Sequence, residues 1–390
     1  MTREAYDLSE RTGLPVMVRL VTRLSHSRGS VETSEPRPQN ALRLGDRTRW
    51  TLLPSNARVL YQSVLDRQAG LLSCSESSSF NRLEAGTAGE RLGVIASGIG
   101  YNYVRECLAA GLGAPRILKI SVSPWPERLI RDLVATADTV LVVEEGFPLI
   151  ERALKGMYGV PGKTIIGKLS GHLPLAGELT PETVRRALGG EALERRPIVD
   201  FPLASRPPQL CAGCPHGDTL KAVTEAIRGA ADAAVFSDIG CYTLGYFDPY
   251  RAVDTCVCMG ASIGMAKGAS EAGVHPAIAV IGDSTFGHSG ITPLLSAAAA
   301  DTDMVVVVLD NGTVAMTGGQ SSFASGERLL RLVEGVGVAK EHIRTISPLP
   351  KFHALNTAVF KEEIAHKGLS VVVAVRECLE ETKKRTRREP

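Results

Sequence analysis

The chain is 390 residues long, 44% hydrophobic and 22% charged, with a formal net charge of +2. That length suits two or three domains of about 100–200 residues, and a charge so near neutral gives no case for nucleic acid or a membrane surface as partner. No run approaches the roughly 20 apolar residues of a membrane helix, the start has no signal-peptide layout, and the eight cysteines then read as thiols or metal and cluster ligands in a reducing compartment, the cytoplasm.

In chain order, a short helix is followed by residues 14–21, which read as a buried strand. Residues 27–58 hold many Ser, Pro, Arg and Asn without periodicity and read as a linker. Residues 73–90 read as a second, Ser/Gly-rich break. The block 91–190 then alternates: strand 92–97, helix 101–110, strand 117–120, helix 127–135, strand 139–145. Such alternation predicts a parallel sheet with helices on both faces. Gly98-Ile99-Gly100 is a weak phosphate-loop signal, and a tight strand-to-helix turn is the commoner reading.

Residues 196–210 are Pro-rich and mark a further linker. Alternation returns from 211 to about 378, with strands expected at 233–237, 277–281, 304–309 and 370–375. Their near-continuous apolar runs suit strands buried on both faces. The basic run 383–388 reads as a solvated tail. The predicted fold class is α/β, with two doubly wound parallel-sheet domains.

The strongest chemical signal is Gly282-Asp283-Ser284-Thr285 with Asn311 placed 28 positions after Asp283. Each follows an apolar strand, and a helix of small residues, 294–300, crosses back between them. One βαβ unit therefore brings both side chains to the same carboxyl edge, where open α/β sheets bind ligands. Asp283, Asn311 and a backbone carbonyl near Thr313 suit magnesium, which takes one or two carboxylates plus phosphate oxygens. Gly282 lets backbone approach a phosphate, and a helix N-terminus after Phe286 favours negative charge there.

Leu210-Cys211-Ala212-Gly213-Cys214-Pro215-His216 opens the same domain. A zinc ribbon needs a second Cys-x-x-Cys, and Cys256-Val257-Cys258 has the wrong spacing. A thioredoxin-like pair fits poorly after a Pro-rich linker. Buried small hydrophobes remain an alternative. Cys74 and Cys107 read as ordinary thiols, and Cys258 has no derivable role.

These motifs together resemble the thiamin-diphosphate-dependent 2-oxoacid:ferredoxin oxidoreductases, and within them the large subunit of the indolepyruvate enzymes. The likeness rests on Cys-Ala-Gly-Cys-Pro-His, Asp238-Ile239-Gly240-Cys241-Tyr242-Thr243-Leu244-Gly245, the run from Gly282 to Gly290, and Asn311-Gly312-Thr313 continuing to Thr317-Gly318-Gly319-Gln320. It implies thiamin diphosphate and Mg2+ held through Gly282, Asp283, Ser284, Thr285, Asn311, Thr313, Thr317 and Gly318. His216 and His288 are candidates for polar contacts near the cofactor. It also implies a 4Fe–4S cluster on Cys211, Cys214, Cys241 and Cys378, since such a cluster takes four thiolates.

The implied reaction is oxidative decarboxylation of an aryl 2-oxoacid with CoA, reducing ferredoxin. A small beta subunit is the expected partner, and no residue is assigned a catalytic role. Residues 91–190 look like a transketolase-C-like domain, including Val142-Val143-Glu144-Glu145-Gly146 and Gly177-Glu178-Leu179-Thr180. The expected division is 1–58 for the end of a pyrimidine-binding domain plus linker, 59–195, linker 196–210, a cofactor-binding domain 211–380, and tail 381–390. The chain therefore reads as a fragment or one piece of a split subunit. The rival readings are a non-oxidative thiamin-diphosphate decarboxylase, which needs no cluster, and a catalytically incomplete cofactor-binding subunit.

Overall fold

The computed structural model describes all residues except 34, 37, 39–45, 47, 49–50, 52, 157–158, 192–207 and 389–390. The chain divides into two compact units, Met1–Phe201 and Pro202–Pro390. Residues 192–207, and with them most of the expected 196–210 linker, lie outside the described residues.

The first unit opens with helices α1 (Thr2–Thr12), α2 (Thr22–Ser25), α3 (Pro54–Asp66) and α4 (Gln68–Glu76). The strand expected at 14–21 is absent. The segment is extended but pairs with no strand among the described residues, and Met17 is 92% exposed. Apolar character without a partner edge leaves backbone groups to water and makes no strand. The break expected at 73–90 contains the end of α4 and an edge strand, β1 (Arg82–Glu84).

The remainder follows the predicted alternation: β2 (Leu92–Ser97), α5 (Ile99–Ala109), β3 (Arg116–Ile120), α6 (Glu127–Thr136), β4 (Thr139–Val143), α7 (Leu149–Lys155), β5 (Thr164–Ile166) and α8 (Pro181–Ala187). The sheet order is β1-β3-β2-β4-β5, parallel except for β1, which runs antiparallel to β3. Successive strand residues feed opposite faces. Val94, Ala96, Leu141 and Val143 pack with Val104 and Val184, whereas Ile95, Val140 and Val142 pack with Leu133 and Ile150. Gly98-Ile99-Gly100 is the strand-to-helix turn, and a Cβ on Gly100 would lie 2.9 Å from the Val143 carbonyl oxygen. The Glu144 carboxylate accepts from the amides of Leu149, Ile150 and Glu151, and Glu145 accepts from Leu179. The two glutamates therefore fasten the turn into α7 and the Gly177–Thr180 stretch.

The second unit contains α9 (Pro215–Ala226), β6 (Ala234–Ser237), β7 (Thr255–Cys256), α10 (Ala261–Glu271), β8 (Ala277–Gly282), a helical turn α11 (Asp283–Thr285), α12 (Ile291–Ala299) and β9 (Met304–Asp310). After these come a small hairpin, β10 (Thr313–Val314) and β11 (Gln320–Ser321), then α13 (Glu327–Gly335), β12 (Ile343–Ile346), α14 (His353–Ala365), β13 (Leu369–Val375) and α15 (Leu379–Arg388). The basic residues expected as a tail fall within α15. Six parallel strands lie in the order β12-β13-β9-β8-β6-β7. Every residue of β9 is buried because both faces are covered. Ala279, Ile281, Val306 and Val308 meet Ile263, Leu294 and Leu329 on one face, while Val280, Val305 and Val307 meet Leu220, Val223 and Phe360 on the other.

Phe360 is fully buried on α14. Phe360→Ala should cost the second unit about 3–5 kcal/mol. Chemical denaturation should show a lower midpoint at an unchanged slope, and an unshifted midpoint would contradict this packing.

Candidate cofactor and metal site

The chain reverses direction in the second sheet at β6: β7 lies on one side of it and β8 on the other. Ligands of open α/β sheets bind outside the carboxyl ends at such a point. The residues that follow β6, β8, β9 and β13 are Asp238, Asp283, Asn311 and the segment up to Cys378.

Strands β8 and β9 are parallel neighbours with Gly282 opposite Leu309, so Asp283 and Asn311 emerge at one corner. The Asp283 carboxylate is buried and accepts from the Ser284 amide at 2.8 Å and the Gly312 amide at 3.0 Å. Gly312 needs its left-handed φ of 72° to bring that amide round. Burial, and then the nearby Asp310 carboxylate, holds Asp283 well above the ordinary carboxylate range. Asp310 is itself buried and accepts from Gly312, from the Ser325 hydroxyl and from the Gly326 amide that begins α13. Two neighbouring buried carboxylates, with no basic side chain bonded to either among the described residues, make a corner that a cation would relieve.

Asn311 uses its Oδ1 to accept the Thr313 amide at 3.1 Å, and its Nδ2 lies 3.2 Å from His216 Nε2. His216 is 5% exposed, and its ring meets Tyr242 edge-on with centroids 5.8 Å apart. Burial pushes its imidazole down to about 4, so it is neutral at pH 7. The Tyr242 hydroxyl donates to the Ile239 carbonyl. A Cβ on Gly282 would come within 2.8 Å of the Tyr242 ring. Gly282 is therefore fixed by packing, a reason different from the expected approach of a phosphate.

The four cysteines lie around one cavity of about 180 Å³, which Asn311 and His216 also line. Cys214 caps α9, Cys241 starts the turn after β6, and Cys378 follows β13. The Cys378 amide donates to the Asn311 carbonyl at 3.3 Å, pinning that loop to the metal corner. Burial pushes the Cys214 thiol up to about 11 and raises Cys241 as well. Among the described residues no three His, Cys, Asp or Glu side chains converge on a point that holds a single metal ion. A cubane cluster binds one thiolate per iron, so its ligands stand around a cavity and need not converge on one point.

The remaining predicted residues are less drawn in. Ser284 and Thr285 sit in α11, which starts at Asp283 itself; the helical N-terminus is at Gly282, ahead of the expected place after Phe286. A π-turn, Phe286–Gly290, links α11 to α12. Thr313 lies in the hairpin beside Asn311. Thr317 and Gly318 are exposed at the hairpin's turn, where the Thr317 hydroxyl donates to Gln320. His288 is exposed and bonds to Ser289. Cys74 is half-buried, Cys107 is buried with its thiol raised by burial, and Cys258 is exposed beside the start of α10.

Asp238 received no role from its motif. It is fully buried, and its carboxylate accepts from the amides of Ile239, Gly260 and Ser262 and from the Ser262 hydroxyl. It ties the Cys241 turn to the start of α10. Asp310 was also passed over; an acidic residue closing an apolar strand directly before Asn311 was the available signal.

Residues 238–374 match the family described as thiamine pyrophosphate enzyme, C-terminal TPP binding domain. The chain is similar to indolepyruvate oxidoreductase subunit IorA of Methanothermobacter thermautotrophicus, with 36% identity over 96% of this chain and 64% of the relative. The subunit of the same name from Archaeoglobus fulgidus is 35% identical over 96% of this chain and 62% of the relative. That from Pyrococcus abyssi is 31% identical over 97% and 64%. The chain thus spans less than two thirds of the length of these relatives. Among solved structures, it is similar to 2-oxoglutarate:ferredoxin oxidoreductase from Magnetococcus marinus, with TM-score 0.37, 21% identity, and coverage of 45% of this chain and 66% of that one. It is also similar to the thiamine diphosphate-dependent 4-hydroxybenzoylformate decarboxylase of Rhodococcus jostii RHA1, with TM-score 0.35, 19% identity, and coverage of 81% and 64%.

The buried, neutral state of His216 can be read directly. Its ring should titrate near 4 in a side-chain NMR experiment, well below the 6.5 of a free histidine. Because the unfolded chain takes up this proton first, the second unit should lose stability as pH falls through that interval. A midpoint at the free-histidine value would overturn the buried placement.

Proposed function

As a relative of the IorA subunit of indolepyruvate oxidoreductase along 96% of its length, with a thiamine pyrophosphate binding domain at 238–374, the chain is, we propose, the cofactor-binding part of an aryl 2-oxoacid:ferredoxin oxidoreductase. One observation carries the reading: Asn311 belongs at once to the Asp283 corner and to the wall of the four-cysteine cavity. A non-oxidative decarboxylase has use for the first and none for the second.

The donor set fits magnesium. Asp283 and the Asn311 amide oxygen are hard ligands, with the Thr313 carbonyl as a third, and phosphate oxygens complete such a site. Gly282, Ser284, Thr285, Thr317, Gly318 and His288 form the surroundings proposed to receive thiamin diphosphate. When bound, that cofactor supplies a nucleophilic carbon and an electron sink. Cys211, Cys214, Cys241 and Cys378 would hold a 4Fe–4S cluster. The proteins's share of the work there is to exclude water and to give up four thiol protons on loading.

The reaction proposed for the assembled enzyme takes an aryl 2-oxoacid such as indolepyruvate with CoA to aryl-acyl-CoA and carbon dioxide. Two electrons pass singly to ferredoxin. A smaller partner subunit and the parts of IorA that this chain does not span are needed for turnover.

Two measurements test the reading. Asp283→Ala should abolish magnesium-dependent binding of thiamin diphosphate, followed by calorimetry, with the circular dichroism spectrum retained; unchanged affinity would remove the metal assignment. Protein purified anaerobically should carry about four irons per chain. An iron-free preparation that still binds the cofactor would favour the non-oxidative reading.

A further inference from the structure

We propose that His216 is a positioning residue. It fixes which way the Asn311 amide points, and so presents the amide oxygen, and not the NH2 group, to the metal. The inference rests on the magnesium reading of Asp283 and Asn311.

The ends of an asparagine amide are nearly equal in shape, so only its hydrogen bonds decide its orientation. Here two neighbours decide it together. The Thr313 backbone amide can only donate, and the Asn311 oxygen faces it at 3.1 Å. The Asn311 NH2 group is therefore the end lying 3.2 Å from His216 Nε2, and it must donate there. His216 Nε2 is then an acceptor, and the ring proton sits on Nδ1. Rotating the amide by half a turn would set NH2 against the Thr313 N–H and the oxygen against the imidazole lone pair. The first contact would be repulsive in a buried place, where unmet polar groups are costly, and the second would be repulsive as long as the ring proton stays on Nδ1.

His216 is itself held firmly. It is the second residue of α9, after Pro215 at the first helical position, so the turn that aims Cys214 also aims the imidazole. The Tyr242 edge bounds the ring. On the far side of Asn311 the backbone carbonyl is taken by the Cys378 amide. The imidazole thus stands in the wall between the metal corner and the cysteine cavity, holding a ligand without being one.

The test uses the full chain with thiamin diphosphate and Mn2+ as the magnesium stand-in, read by electron paramagnetic resonance. His216→Phe keeps bulk but removes the acceptor, and should weaken Mn2+ binding about 10–100-fold, as loss of a group supporting a ligand does. His216→Gln returns an acceptor to the same reach and should recover binding to within about threefold. A His216→Phe protein that binds Mn2+ like the parent overturns the inference, as does a His216→Gln protein no better than His216→Phe. Nitrogen NMR of the unaltered chain gives an answer that needs no variant: the His216 proton is expected on Nδ1, and a proton on Nε2 overturns the assignment. Asp283→Ala separates the two levels. If that change leaves Mn2+ binding intact, the magnesium reading fails. If it abolishes binding while His216→Phe does not, only the role of His216 fails.

Discussion

The register of two parallel strands carries the rest of the second unit's chemistry. With Gly282 opposite Leu309, Asp283 and Asn311 leave the sheet side by side. A slip of one residue would turn one of the side chains to the other face of the sheet. The valine run of β9 and the small apolar residues of β8 are buried on both faces, and the packing of α10, α12 and α13 on one face and α9 and α14 on the other admits only one register. The site's geometry is therefore a product of the core beneath it.

At that edge, buried carboxylates do the work of closing loops. Asp238, Asp283 and Asp310 each receive backbone amides from turns remote in sequence. Burying a charge costs free energy unless it is paired or hydrogen-bonded, and Asp238, with four donors, is the best compensated. Asp283 is raised by its burial and by the neighbouring Asp310 carboxylate. The first unit uses the same device to another end. There Glu144 takes three consecutive amides at the start of α7, so its helix terminus is already occupied by the chain's own anion.

The cysteines show how distant segments are gathered by a sheet edge. Cys214 arrives on the cap of a helix, Cys241 on the turn after β6, and Cys378 on the loop after β13, and all three line the cavity with Cys211. Burial raises the thiols of Cys214 and Cys241, so loading the cavity through these two is linked to proton release.

Sequence by itself determined the inner strands of both sheets, β2, β3 and β4 in the first and β6, β8, β9 and β13 in the second, because parallel strands covered on both faces must be apolar throughout. It also determined that Asp283 and Asn311 end neighbouring strands, since one βαβ unit leaves little choice. It misread residues 14–21, because an apolar segment looks like a strand whether or not an edge exists to receive it. It overlooked the four edge strands, β1, β5, β7 and β12, short segments that become strands only by pairing with an inner neighbour. The partner of His216, the ring that makes Gly282 necessary, and the four donors around Asp238 were decided by tertiary structure alone. Each is a contact between side chain and backbone, or between two side chains, that depends on where another element's residue comes to lie, and no local pattern encodes that.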